Sequence, residues 1–137
     1  MPRYVLLLHE DANPPIQDLS PSDLKAVYDR YKGWADRLEK AGRLVGGNKL
    51  ADGSGRLLVR NAATQGVVVK DGPYAETNEV LGGYFMIEAR DYDEAVKLAS
   101  DCPHLDWFGG KVEIRQVDEC PAARLEAETT AAAAGRA

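Results

Sequence analysis

Two runs of this chain are apolar at almost every position: Arg3–His9 (RYVLLLH) and Tyr84–Ala89 (YFMIEA). A strand lacking the wet–dry alternation of a half-solvated sheet is one covered on both faces. Only two stretches can supply that cover as helices. Leu24, Val27, Tyr28, Tyr31, Ala35 and Leu38 recur at three- and four-residue spacing, and so do Tyr92, Ala95, Leu98, Ala99 and Cys102. Two helices shield one face of a small sheet. The other face needs a different cover.

The local signals set the order of elements. Ser20-Pro21-Ser22-Asp23 starts the first helix, with Ser20 as cap and Pro21 at the first helical position, and Gly42 closes it. Asp91 caps the second helix, with Glu94 three residues on in capping-box position. Arg43–Leu50 contains Gly46 and Gly47 and reads as a weak edge strand. Arg56–Arg60 and Gly66–Lys70 flank Asn61–Gln65 as a hairpin. The stretch DGPYAETNEVLGG, Asp71 to Gly83, reads as irregular or a single helical turn, and Lys111–Val117 as an alternating strand.

The order β-α-β-(ββ)-β-α-β predicts an α+β domain on the ferredoxin-like split βαβ plan, with an inserted β-hairpin. Residues 1–120 make that domain. Residues 121–137 are alanine-rich with almost no large apolar side chain, and are expected to form a mobile tail. Two copies packed sheet to sheet would cover the open face, so a homodimer is expected.

Charge and spacing exclude several classes. The net charge is −5, and Lys32, Arg37, Glu39 and Lys40 interleave opposite signs, which argues against nucleic acid as a partner. No apolar run approaches the roughly 18–20 residues of a membrane span, so no membrane partner is expected. Tyr4–Leu8 is too short for a signal-peptide core, which points to a cytoplasmic protein with Cys102 and Cys120 as reduced thiols. Two distant histidines, without a Cys pair or HExxH, give no metal spacing. Gly46-Gly47 and Gly82-Gly83 lack phosphate-loop spacing, and no serine elbow is present. No cofactor is expected.

Asp71-Gly72-Pro73-Tyr74-Ala75-Glu76-Thr77, with Glu79 and Leu81-Gly82-Gly83-Tyr84 behind it, is similar to the DGPF motif of the YCII-related proteins. Glu88-Ala89-Arg90-Asp91, Asp93-Glu94-Ala95 and Gly109-Gly110-Lys111-Val112-Glu113-Ile114-Arg115 extend the resemblance, as do Arg3–Leu8 and Ala41–Gly47, over roughly residues 3–117. Tyr74, Asn78 and Gln116 stand where phenylalanine, lysine and proline are commoner. The resemblance implies a dimeric α/β barrel with a cleft between helices and sheet. It implies little chemistry, since family members are largely uncharacterised. Some relatives look like enzymes acting on small, often aromatic or halogenated, molecules through a His and an Asp. Others resemble accessories of extracytoplasmic-function sigma factors.

Candidate residues each carry two readings. His9, ending the first strand on the face of Val5 and Leu7, suits proton transfer near neutral pH or simply closes the strand. Asp71 and Glu76 suit a carboxylate pair with His9, or serve as turn and cap residues. Arg115 can fork a substrate carboxylate or pair with Glu113 or Glu88. Tyr28, Tyr31 and Trp34 can wall an aromatic ligand or fill the core. His104, in Cys102-Pro103-His104-Leu105-Asp106, is expected to be an exposed loop residue. An enzyme on a small organic molecule requires a pocket enclosing His9 with Asp71 or Glu76. A non-catalytic accessory or ligand sensor requires those groups to be tied up structurally.

Overall fold

The structure, a computed structural model, describes residues 1–12, 18–53, 55–71, 79–106 and 109–135. Its elements are β1 (Arg3–Asp11), α1 (Pro21–Lys40), β2 (Leu44–Lys49), β3 (Arg56–Arg60), β4 (Val67–Asp71), β5 (Glu79–Glu88), α2 (Tyr92–Ala99), a 3₁₀ turn (Pro103–Asp106), β6 (Lys111–Gln116) and α3 (Pro121–Ala134). Four strands form one antiparallel sheet in the order β2-β5-β1-β6, while β3 and β4 pair only with each other. The two all-apolar runs are the two central strands. Interleaving β5 between β1 and β2 makes this the split βαβ arrangement.

The helices begin where the local chemistry places them. The Asp23 backbone N–H donates to the Ser20 hydroxyl at 3.2 Å, and the Glu94 N–H donates to the Asp91 carboxylate at 2.8 Å. Gly42, at φ +71°, turns the chain out of α1. The Glu94 carboxylate turns back to accept the backbone N–H of Arg90, the residue before the cap, at 3.2 Å, and it binds the side chains of Arg43, at 2.8 Å, and Arg90, fastening the entrance of β2 to the start of α2.

Both helices pack on one side of the sheet. Tyr4, Leu6 and Leu8 of β1 and Ile87 of β5 join Trp34 and Leu38 of α1 and Ala95 and Ala99 of α2 in a single buried cluster. Trp34 stands edge-on against Phe85, ring centres 4.9 Å apart, and donates its indole N–H to the Leu98 carbonyl at 3.4 Å. Trp34 is therefore core and does not wall a ligand. On the opposite side Val5 and Leu7 meet Tyr84 and Met86 across the strands, all four half-buried, with no helix over them.

Two features depart from expectation, the start of β5 and the burial of His104. Strand β5 starts at Glu79, five residues before Tyr84: Glu79, Val80 and Leu81 pair with β1, and Gly83 is held between Leu8 and Lys49 on its two sides. Within the alanine-rich 121–137 segment, α3 runs over Pro121–Ala134 with every residue exposed, in line with the helix preference of its alanines. His104 is buried, at 3% exposure, where an exposed loop residue was expected. Cys102 is buried and Cys120 exposed, both as free thiols, and burial pushes the Cys102 thiol up to about 11. No described helix is long and apolar enough to cross a membrane.

Candidate functional site

His104 fixes one end of the site. Pro103 opens the 3₁₀ turn after α2, and the turn carries His104 under α1, against the end of β1. Its Nε2 lies 2.7 Å from the His9 carbonyl oxygen, which can only accept, so Nε2 carries the proton. In the neutral ring Nδ1 then holds a lone pair, and it accepts the Tyr31 hydroxyl proton at 2.9 Å. The tautomer follows from the backbone.

Between α1 and the sheet lies a cleft of about 140 Å³. Leu8 and Phe85 give it an apolar floor, and Tyr28 and Tyr31 line it from α1. Gly82 and Gly83 also line it. A Cβ on Gly83 would sit 2.9 Å from the Asn48 carbonyl oxygen. At Gly82 the β1–β5 register slips, Leu8 facing Gly83 and His9 facing Leu81, so Gly82 is an extra residue in β5. The Glu10 carboxylate fills the space a Gly82 side chain would need.

Glu10 is the chemically distinctive group of the cleft. Asn48 donates to the Tyr84 hydroxyl at 3.1 Å, and Lys49 donates to the Leu50 carbonyl at 3.0 Å and to Asp52 at 3.2 Å. Among the described residues Glu10 has no hydrogen bond or ion pair. Burial, the largest effect, pushes its carboxyl pKa up; Lys49, and His104 when protonated, pull it down, and Asp52 and Asp11 push it further up.

That shift has a signed consequence. A carboxyl whose pKa is higher folded than unfolded binds its proton more tightly in the folded state. The stability it contributes is present at low pH and is lost as pH rises through the folded-state value. Glu10→Gln is therefore expected to melt at a higher temperature than the unsubstituted protein at pH 7. The gap should close below about pH 4, where carboxylates are protonated in both states. Thermal melts at the two pH values check it, and a Glu10→Gln protein less stable at pH 7 would contradict the reading.

The residues singled out from sequence divide between two faces. Tyr28 and Tyr31 line the cleft. His9 does not: strand alternation turns it to the helix-free face, where its Nε2 lies 2.9 Å from Glu113 and its Nδ1 4.0 Å from Glu79. Arg115 shares that face, 3.7 Å from Glu113, and Lys111 reaches Glu79 at 3.4 Å. Asp71 ends β4 opposite Arg56, exposed, in the two-stranded sheet and not in the sheet that carries His9. Glu76, with Gly72–Asn78 of the motif, lies outside the described residues. Among the described residues no three His, Cys, Asp or Glu side chains gather in a metal-holding group.

Sequence reasoning missed Glu10 and His104. A signal for Glu10 existed, since it shares the parity of Tyr4, Leu6 and Leu8, the face that α1 covers. His104 had none, because its partners Tyr31 and His9 are 73 and 95 residues away.

Fold and site together define a small α+β domain with a ligand-sized cleft beneath its first helix. The chain belongs to the YCII-related family, whose domain model matches residues 3–121. It is also 32% identical over 93 residues to a protein of Rhizobium meliloti (strain 1021) described as uncharacterized, a match covering 68% of each chain.

Proposed function

We propose that this chain binds a small organic molecule in the cleft under α1 and moves a proton on it, with Glu10 as the acid–base group. The observation that carries the reading is a half-buried carboxylate, without a side-chain partner among the described residues, facing an apolar cleft beside a hydrogen-bonded Tyr31–His104 pair. A desolvated carboxylate is a stronger base than an exposed one, which suits proton abstraction near neutral pH. This assigns the chemistry to Glu10 and His104, in place of His9 with Asp71 or Glu76. His9 and Arg115 then organise the charged network on the helix-free face.

The motif Asp71-Gly72-Pro73-Tyr74 supports membership of the DGPF subgroup, and the half-buried Val5, Leu7, Tyr84 and Met86 support a sheet-to-sheet homodimer, the dimeric α/β barrel. Light scattering should give a solution mass twice that of one chain. Two free thiols fit a reducing, cytoplasmic setting.

The cleft reading is tested by a thermal-shift screen of small aromatic acids, amines and alcohols. Ligands that stabilise the unsubstituted protein should fail on Gly82→Ala, whose added methyl collides with Glu10, and should still stabilise His9→Ala. Equal stabilisation of Gly82→Ala, or loss on His9→Ala, would remove the cleft from consideration.

A second reading is a non-catalytic accessory or ligand sensor, of the kind associated with extracytoplasmic-function sigma factors. The exposed apolar hairpin favours it: Leu58, Val67 and Val69 are each more than half exposed, as on a surface that meets a partner.

A further inference from the structure

We infer that the cleft selects a ligand bearing a protonated amine on a flat apolar body, with the nitrogen against Glu10 and the ring among Tyr28, Tyr31 and Phe85. The inference rests on the cleft being the binding site and specifies what enters it.

Three observations converge. The first is the state of the polar lining groups. His104 already donates to the His9 carbonyl and accepts from Tyr31, Asn48 is used by Tyr84, and Lys49 is held by Leu50 and Asp52. An incoming anion would find no uncommitted cation among them. It would instead face the Glu10 carboxylate, with Asp11 and Asp52 close enough to add to the repulsion.

The second is what Glu10 lacks. A partly buried carboxylate without hydrogen bonds is unfavourable until a cation or a strong donor meets it. A ligand ammonium supplies charge and up to three donors at that point, and charge-assisted hydrogen bonds are about twice as strong as neutral ones. The third is the wall. Tyr28, Tyr31 and Phe85 present aromatic surface to the same space, and an ammonium beside aromatic faces gains cation–π attraction on leaving water. A cleft of about 140 Å³ is well below the size of a drug-binding pocket, so the apolar body is small, of the order of one ring. Selection against carboxylates comes from an unpaired like charge, the cheapest way to exclude a ligand of the same shape.

Benzylamine, benzyl alcohol and benzoate share a ring and differ in the charge of the attached group. Each is titrated into the full-length protein at pH 7.5, with backbone amide shifts of Leu8, Gly82 and Gly83 as the readout. Benzylamine should bind tightest and shift those amides. Glu10→Gln, nearly isosteric and expected to fold stably, should weaken benzylamine by about tenfold or more while leaving benzyl alcohol within about twofold. Benzyl alcohol or benzoate matching benzylamine at those amides would overturn the amine preference and leave the cleft as the site. Unchanged benzylamine affinity in Glu10→Gln would do the same. No shift at those amides from any of the three would overturn both the preference and the cleft.

Discussion

Trp34→Ala is expected to lower unfolding free energy by about 3–5 kcal/mol, the range for deleting a large buried aromatic. Trp34 is 2% exposed and is the largest fully buried side chain. It packs edge-on against Phe85 and bonds Leu98, so it ties α1 to β5 and to the end of α2 at once. Domains of this size hold about 5–15 kcal/mol in total, so the variant should be near the edge of folding at 37 °C. Urea denaturation followed by circular dichroism measures the loss. Trp34→Phe, which keeps an aromatic ring in place, should lose clearly less. A loss below about 1 kcal/mol for Trp34→Ala would mean that the helix–sheet interface is organised around some other side chain.

His104→Ala is expected to be the next most costly change, at about 3 kcal/mol, although histidine is not a large apolar residue. Its removal leaves a void and strips a proton donor from the His9 carbonyl and an acceptor from the Tyr31 hydroxyl. Unpairing a buried polar group costs about 1–3 kcal/mol, to which the void adds. Tyr31→Phe removes only one of the two hydrogen bonds and should cost about 1 kcal/mol. If the two variants lost the same amount, the His9 carbonyl would have found another donor, and the ring orientation deduced for His104 would be wrong.

How much of this was legible in the chain depended on range. Ser20 and Asp91 announced their helices because a cap is decided within three residues. The paired central strands were legible because Tyr4–Leu8 and Tyr84–Ile87 carry no alternation to permit an edge. Gly82 and Gly83 misled, since glycines read as a break in a strand and here lie inside one, spaced by a register slip that only the partner strand reveals. The site suffered most. His9 was placed correctly with Val5 and Leu7, but the side of β1 that receives the helices is settled by Trp34 and Leu38 docking on Leu6 and Leu8. Once that side is known, the neighbouring Glu10 faces the cleft and His9 faces away. The side chains of His9 and Glu10 leave β1 on opposite faces.

The β3–β4 ribbon divides the chain into two tiers of order. Leu57, Leu58 and Val59 run beside Val67, Val68 and Val69, so both of its sides are greasy, and none of these residues is buried. A lone two-stranded ribbon is at best marginally stable in water. Its amide protons should therefore exchange with solvent long before those of β1 and β5, which open only when the whole domain unfolds. Anything that clamps the ribbon would slow its exchange without altering the sheet. The amide-exchange rate of residues 57–59 and 67–69 is thus a gauge of whether the ribbon is occupied.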